Sequence, residues 1–174
     1  MGLSEKLKRI EAWWRGEAGA GPLVRLKVTG DSQEREFNRF WPSADERPDI
    51  EALVDHQRSA ALRADYPGDL PPSLPHHWGG RGTPMTMAAF LGGNVELRED
   101  TVWVSPSVDD WTEFEVSFEE NYWVEMSARL LERQAELADG RYVVAMPDLG
   151  DALTVFSLLR GTERLLMDLV EQPA

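Results

Sequence analysis

Apolar residues recur at helical spacing in three long stretches of the chain, and each stretch predicts an amphipathic helix. The helices are predicted from residue 3 to 15, from 48 to 66 and from 122 to 138. Their apolar sides consist of Leu3, Leu7, Ile10 and Trp14, of Ile50, Leu53, Val54 and Leu62, and of Trp123, Met126, Leu130 and Leu137. Three shorter helices are predicted, one through Phe90 and two over the apolar segments that follow Gly150 and Gly161.

Other segments have the patterns of β-strands. Residues 23–28 alternate apolar and basic side chains, which is typical of a half-exposed strand. Residues 95–97, 101–104 and 113–118 are rich in Val, Trp and Phe, and they predict a small antiparallel excursion.

The segment that follows the longest helix is the most informative of the chain. Residues 142–146 are a short apolar run that leads into Pro147, Asp148 and Gly150. This pattern favours a buried strand of a parallel sheet, whose functional groups lie at its carboxyl end. Because such a strand needs parallel neighbours, we expect either that an earlier segment pairs with it or that further residues complete the sheet.

Length and charge limit the classes of protein. The 174 residues fit one domain, and 42% apolar residues with seven Trp predict a globular chain. The net charge of −13 argues against nucleic-acid and anionic membrane partners, which attract clustered Lys and Arg. The sequence has no cysteine and its start lacks the apolar core of a secretory signal, so we expect a cytoplasmic protein.

Several short motifs, in order, resemble the amino-terminal half of uroporphyrinogen decarboxylase-like proteins. The motifs are Trp13-Trp14-Arg15-Gly16-Glu17, Gly21-Pro22-Leu23, Ala89-Phe90-Leu91-Gly92, Glu99-Asp100-Thr101-Val102-Trp103, Met146-Pro147-Asp148-Leu149-Gly150 and Leu159-Arg160-Gly161-Thr162-Glu163. The resemblance implies an α/β fold, a partial (β/α)8 TIM-type barrel with an amino-terminal helical extension and the antiparallel excursion. It makes residues 1–174 a single, incomplete barrel domain, because a whole barrel takes about 250 residues.

The resemblance implies decarboxylation or methyl transfer for the parent protein. Residues 23–30 lack the Met-Arg-Gln-Ala-Gly-Arg run of the true decarboxylases. The methyltransferases of this superfamily use zinc and a corrinoid partner, and their zinc ligands lie in the carboxyl-terminal half of the family pattern. We therefore expect no metal and no cofactor within this chain, which alone would be inactive.

Four residues are candidates for binding a small molecule. Asp148 follows the predicted barrel strand and is the candidate for catalysis, although Asp148 or Asp151 could instead cap the next helix. His77, Trp78 and Arg81 lie in the long Pro- and Gly-rich segment 69–84, which we predict to be a loop at the rim of the pocket or an ordinary surface loop.

Two further features have plain structural explanations. Residues 160–163 could attract an anion at a helix start, but a helix stop at Gly161 with a Thr162 cap is sufficient to explain them, and we favour that explanation. The acidic residues between 96 and 120 have no calcium-loop spacing, so we interpret them as a solvated face.

Two functions from different classes follow from these patterns. The chain is expected to be the amino-terminal segment of a decarboxylase-like barrel, supplying part of a small-molecule pocket. The alternative is a stand-alone binding or assembly module that associates with itself or with a complementary chain, which would cover an open sheet edge.

Overall fold

A computed structural model describes residues 1–17, 19, 21–28, 49–76, 85–97, 102–116, 118 and 121–171. The described residues form a mixed α/β structure in which helices predominate and strands are short. Its helices are α1 (Leu3–Trp14), α2 (Ile50–Arg63), α3 (Met85–Phe90), α4 (Tyr122–Ala138), α5 (Ala152–Arg160) and α6 (Thr162–Glu171), with one 3₁₀ turn at Trp111–Glu113. Its strands are β1 (Ser73–Leu74), β2 (Asn94–Leu97), β3 (Val102–Ser105) and β4 (Val143–Val144).

The chain divides into two compact units. The described parts of the first unit lie within residues 1–37, 49–76 and 130–146. Those of the second lie within residues 77–129 and 147–174. The assignment of the whole chain to one incomplete barrel domain stays a prediction.

The first unit contains the predicted parallel strand. β4 pairs in parallel with β1, Ser73 opposite Val143 and Leu74 opposite Val144. The amide of Val143 donates to Pro72 O at 3.0 Å, and that of Ala145 donates to Leu74 O at 2.9 Å. The expectation that an earlier segment pairs with this strand is confirmed. The prediction of an uninterrupted loop over residues 69–84 is wrong at β1, because two residues are too few to produce a periodic pattern.

Helix α2 of the first unit begins at Ile50, two residues later than its pattern predicts. The Asp49 carboxylate accepts a hydrogen bond from Ala52 N at 3.0 Å and so caps the helix. Ile50, Leu53 and Val54 are buried as predicted. Leu62 is 50% exposed, so its assignment to the inner side was wrong. The buried position of that turn is taken by Ala61, which packs with Leu74 and Tyr142.

The predicted strand over residues 23–28 reduces to a single bridge. Val28 and Asp65 exchange two backbone hydrogen bonds, and Asp69 N donates to Val24 O at 2.7 Å. The apolar side chains of this segment, Val24, Leu26 and Val28, are all about half exposed. The segment runs along the irregular residues 65–69 instead of a second strand, so a regular ladder does not form.

A close backbone contact fixes this arrangement at Gly68. A Cβ atom at position 68 would overlap Val24 O and lie 2.9 Å from Leu26 N. Only glycine therefore fits here without moving the main chain.

A buried lysine attaches α1 to the same loop. Lys6 is 3% exposed, and its Nζ donates to Tyr66 O, Gly68 O and Leu70 O at 2.5, 2.7 and 3.1 Å. One turn further along, Arg9 Nε donates to Asp69 Oδ1 at 2.5 Å. The three donors of the ammonium are all used, which is what makes its burial tolerable.

The second unit contains the predicted antiparallel excursion. β2 and β3 form an antiparallel pair with Val95 opposite Val104, which confirms that prediction for residues 95–97 and 102–104. Ala88, Val104, Val108, Val155 and Leu159 form the buried core of this unit. The continuation of the excursion over residues 113–118 is wrong for Glu113, which belongs to the 3₁₀ turn, and Phe114 to Val116 form no strand.

Helices α5 and α6 lie in the second unit. Gly161 ends α5, as predicted, and its φ is 87°. The predicted helix cap at Thr162 is not seen, because Thr162 is already the first residue of α6. Leu165 is buried and Asp168 is partly buried, whereas Leu166, Met167, Leu169 and Val170 are all more than half exposed. Helix α6 thus presents a large part of its apolar surface to solvent.

The described strands form one two-stranded parallel sheet and one two-stranded antiparallel sheet. The described part of the chain is therefore α/β and contains no closed barrel. The antiparallel pair matches the expected excursion, and α1 matches the expected amino-terminal helix.

We predict that Lys6→Met lowers the free energy of unfolding by about 1–3 kcal/mol, because three partly buried carbonyl oxygens lose their donor. Lys8→Met on the exposed side of the same helix should change it by less than about 0.5 kcal/mol. Urea denaturation of the two variants measures the difference. Equal effects of both substitutions would contradict the anchoring role of Lys6.

Candidate functional site

The carboxyl end of β1, in the first unit, carries a cluster of buried polar side chains. The strand leads directly into Pro75 and His76, and His76 is 4% exposed. Gln57 of α2 and Gln134 of α4 lie at the same place and are 3% and 0% exposed. Three polar side chains are thus buried where an α/β protein commonly places functional groups.

Gln134 links this cluster together. Its Nε2 donates to Gln57 Oε1 at 2.6 Å and to Pro75 O at 3.0 Å. Its Oε1 is buried and accepts no hydrogen bond from the described residues. The amide fixes the main chain after β1 and therefore positions the segment that contains His76. Because the cluster is closed to solvent, its observed role is to hold the end of β1 in place.

Tyr142 directly precedes β4, the strand that pairs with β1. Asp139 and Gly140 have positive φ angles of 46° and 67°, which turn the chain sharply from α4 towards β4. The Tyr142 hydroxyl donates to Leu137 O, and burial raises the pKa of this phenol. Tyr142 therefore stays neutral and has a packing role in the core of the first unit.

Asp148, the candidate catalytic residue, lies in an exposed turn of the second unit. Gly150 N donates to Asp148 Oδ1 at 2.9 Å, so the carboxylate stabilises the turn that leads to α5. Asp151 caps α5, because its carboxylate accepts hydrogen bonds from the backbone amide and the hydroxyl of Thr154 at 2.9 and 2.7 Å. The hydrogen bond from the backbone amide is the main reason that the pKa of Asp151 is lowered. The capping alternative is thereby confirmed for Asp151. One oxygen of Asp148 takes part in the turn, and the binding role of Asp148 stays a prediction.

The other three predicted binding residues, His77, Trp78 and Arg81, lie outside the described residues. Their role in a pocket stays a prediction.

Arg160, considered above as an anion-binding group, is held by an internal ion pair of the second unit. Its Nε and Nη2 donate to the two carboxylate oxygens of Asp168 at 2.8 and 2.9 Å, and its Nη1 donates to Val108 O at 3.3 Å and to Asp109 O. Trp111 Nε1 donates to Asp168 Oδ2 at 3.1 Å. The bond from Arg160 lowers the pKa of Asp168, and the same bond raises the pKa of Arg160. The structural explanation of residues 160–163 is favoured.

A shallow groove runs along α1 in the first unit. It is lined by Leu3, Ser4, Leu7, Lys8, Glu11 and Gly140. Leu7 is 43% exposed in it, and Trp14 of the same helix is 76% exposed. The groove is an open apolar surface and differs from the enclosed pocket that a small polar substrate requires.

The part of the chain that the structure describes contains no group of three or more His, Asp or Glu placed to hold a metal ion. Within the same residues, no helix is long and apolar enough to cross a membrane.

Sequence reasoning missed the buried glutamines, although a signal for them exists. Gln57 lies four residues after Leu53, and Gln134 lies four residues after Leu130, so both occupy the inner side of their helices. A polar residue at such a position must find a hydrogen-bond partner in the core.

Compared with known proteins, the chain matches no family model, no curated protein and no solved structure. The resemblance to uroporphyrinogen decarboxylase-like proteins therefore stays an expectation from short motifs.

We predict that Gln134→Met costs about 1–3 kcal/mol of unfolding free energy, because Gln57 Oε1 and Pro75 O lose a buried donor. In the double variant Gln57→Met/Gln134→Met the cost should be clearly smaller than the sum of the single costs, since the hydrogen bond between the two amides can be lost only once. Denaturation of the three variants gives the coupling energy. Simple additivity would contradict a direct interaction between the two amides.

The lowered pKa of Asp168 predicts a specific pH dependence. A carboxyl group whose pKa falls on folding contributes stability above its unfolded pKa, about 3.9, and loses it as the pH falls through the lower folded pKa. The melting temperature of Asp168→Asn should therefore lie below that of the wild type at pH 6, and the gap should narrow as the pH falls below about 5. Glu163→Gln, at an exposed position in the first turn of the same helix, should lower the melting temperature at pH 6 only slightly, through a weaker interaction with the helix dipole. A gap that stays constant down to pH 2 would contradict the contribution of this ion pair.

Proposed function

We propose that the chain is the amino-terminal segment of a uroporphyrinogen decarboxylase-like barrel protein and supplies part of a small-molecule pocket. The observation that carries this proposal is the parallel pairing of β4 with β1. In a barrel of this class every strand is parallel to its neighbours, and an α-helix precedes each new strand. The order α4, Gly140, β4 and α5 follows that scheme.

The short sheet also supports an incomplete barrel. In the described part of the chain, β1 and β4 each have one hydrogen-bonded neighbour. Parallel strands occur mainly in sheets that helices cover on both faces. Further β/α units, in the same polypeptide or in a complementary one, would pair with the free edges and close the pocket.

The proposed pocket takes its polar groups from the segments that follow the strands. Asp148 follows β4 and is exposed, so one of its carboxylate oxygens can accept a hydrogen bond from a ligand while the other holds the turn. His77, Trp78 and Arg81 follow β1 in sequence and are proposed to form another part of the rim. The parent reaction is proposed to be decarboxylation or methyl transfer, with any zinc ligands and corrinoid partner supplied by the remaining half. We place the protein in the cytoplasm, because a chain without cysteine needs no oxidising compartment.

Substitution of Asp148 tests the pocket. In the full polypeptide or complex that contains this chain, Asp148→Asn should lower kcat/KM at least about tenfold, since a lost charged hydrogen bond to substrate has that magnitude. Uroporphyrinogen decarboxylation and methylation of a corrinoid are the two reactions to assay.

Asp151→Asn is the matched control, because Asp151 caps α5 three residues later. It should lower the melting temperature and leave kcat/KM near the wild-type value. If Asp148→Asn instead loses stability with normal kcat/KM in both assays, Asp148 serves the turn alone and the proposed role is wrong.

A second candidate is an assembly module that associates through exposed apolar surface. The specific observation in its favour is α6, on which Leu166, Met167, Leu169 and Val170 are 58%, 54%, 59% and 76% exposed. Apolar patches of that kind mark interaction sites on proteins. The two candidates differ in what they require, since an assembly module needs no catalytic residue.

A further inference from the structure

Three aromatic rings of the second unit form a surface patch beside α5. Trp111 lies edge-to-face with Phe114 and with Phe156, at ring-centroid distances of 5.8 and 5.4 Å. Leu153 adjoins Phe156, because residues three apart on an α-helix are neighbours on its surface. Leu153 and Phe156 are 62% and 44% exposed, and the other two side chains are partly exposed. We call these four residues the aromatic patch.

Contacts beneath the aromatic patch hold it in place. Trp111 and Phe114 pack on the buried core of the second unit, and Trp111 Nε1 donates to Asp168 Oδ2 at 3.1 Å. Val155 and Leu159 are buried on the inner side of α5, so the rotation that leaves the α5 part of the patch outside is fixed. The exposed surface is therefore preorganised, which lowers the entropic cost of binding a partner.

Exposed carboxylates flank the aromatic patch along the chain. Four exposed acidic residues lie within two positions of a patch residue in the sequence, and they are Asp110, Glu113, Glu115 and Asp151. In the part of the chain that the structure describes, none of the four forms an ion pair with Lys or Arg. The nearby Arg160 is already paired with Asp168. The chain itself therefore leaves these negative charges without a cation.

Two of these carboxylates are fixed in position without losing their charge. Asp110 accepts hydrogen bonds from the amide and the hydroxyl of Thr112 at 2.8 and 2.7 Å, and the bond from the hydroxyl is the main reason that the pKa of Asp110 is lowered. Asp151 is held by the amide and the hydroxyl of Thr154 in the same way. Because these donors are neutral, both carboxylates remain anionic at neutral pH and available to a cation.

The charge of the second unit narrows the choice of partner. Residues 77–129 and 147–174 contain fifteen Asp and Glu residues against five Arg and no Lys, so most of the net charge of −13 lies in this part of the chain. A second copy would bring the same carboxylates together, and an anionic membrane would be repelled as well. Lys and Arg side chains suit the patch, because their methylene groups pack on apolar surface and their cations interact with aromatic rings and carboxylates.

We propose that the aromatic patch binds a basic, amphipathic segment of another protein, in which Lys or Arg residues lie next to apolar ones. Aromatic side chains in such patches commonly supply much of the binding energy. A patch of a few hundred Å² at most gives a weak, transient complex. Docking at this surface does not involve Asp148 or a substrate pocket, and it uses a surface other than the exposed side of α6.

A fluorescein-labelled peptide of 14 Lys and Leu residues, arranged as an amphipathic helix, is the probe. Fluorescence anisotropy should show that the full chain binds this peptide with a Kd of about 1–100 µM in about 50 mM salt, the range of weak complexes. In about 500 mM salt the binding should weaken several-fold, because salt screens the attraction between the charges. A peptide with Glu in place of every Lys is the control, and it should not bind.

Apolar substitutions locate the contact. Leu153→Ser and Phe156→Ser should each raise the Kd of the Lys-Leu peptide about five- to tenfold, because each removes apolar surface that the peptide covers. Leu166→Ser is the matched control. Leu166 is 58% exposed and lies about 160° around α6 from Asp168, the residue that contacts Trp111. This variant should change the Kd by less than about twofold, and circular dichroism confirms that each variant is folded.

Charge substitutions test the role of the carboxylates. The double variant Glu113→Gln/Glu115→Gln should raise the Kd about three- to tenfold, because two carboxylates beside the patch are lost. Glu163→Gln removes one carboxylate of the same unit at a position about 140° around α6 from Asp168. It should change the Kd by less than about twofold, since the charge that it removes does not adjoin the patch.

Four results would overturn the proposal. The first is a wild type that does not bind the Lys-Leu peptide at about 200 µM. The second is equal binding of the Glu-Leu peptide, which contradicts the role of charge. The third is a Leu166→Ser or Glu163→Gln variant that weakens binding as much as the patch variants, which places the contact elsewhere or makes it a general effect of net charge. The fourth is a dimer in sedimentation velocity that Leu153→Ser dissociates, which makes a second copy the occupant of the patch.

Discussion

The terminal helices are anchored by charged side chains, and this anchoring determines which surfaces the protein presents. Lys6 holds α1 through three backbone carbonyl oxygens of residues 66–70. Asp168 holds α6 through Arg160 and Trp111. A buried ion or ion pair tolerates little displacement, because a shift leaves a desolvated charge without its partner. The rotation of each helix is therefore set by polar contacts, and part of its apolar side remains exposed.

The rest of the architecture depends on these anchors because the sheets are too short to organise the chain alone. β1 and β4 contribute two residues each, and the polar cluster of Gln57 and Gln134 secures the end of that pair. The second unit relies on the packing of Val104, Val155 and Leu159 around the antiparallel pair. Small cores of this kind leave apolar surface uncovered, and association is the ordinary way to bury it. The first proposed function would complete the parallel sheet, and the second would bury the exposed apolar side chains of α6.

The sequence predicts the elements whose signal is long or unambiguous. The 17-residue periodic pattern of α4, the Gly140 stop and the apolar strand after it all appear in the structure. β1 was missed because a strand of two residues within a Pro-rich segment has no periodic pattern. The strand predicted over residues 23–28 proved to be a single bridge, because alternation of apolar and polar residues does not show whether a second strand is there to pair with it. Asp148 is predicted to bind a ligand from its place after a strand, and that role stays a prediction. Gln57 and Gln134 could have been found from their inward helical positions, whereas a buried role for Lys6 has no sequence signal.

Thiol labelling of α6 tests the central claim most directly, namely that anchoring turns apolar side chains outward. The chain contains no cysteine, so a single introduced thiol reports one position alone. In dilute protein, Leu166→Cys should react nearly as fast as in the urea-unfolded chain. Leu159→Cys, at a position that is 0% exposed, should react far more slowly. Equal protection of both thiols under dilute conditions would show that the chain itself covers α6, and would contradict the account.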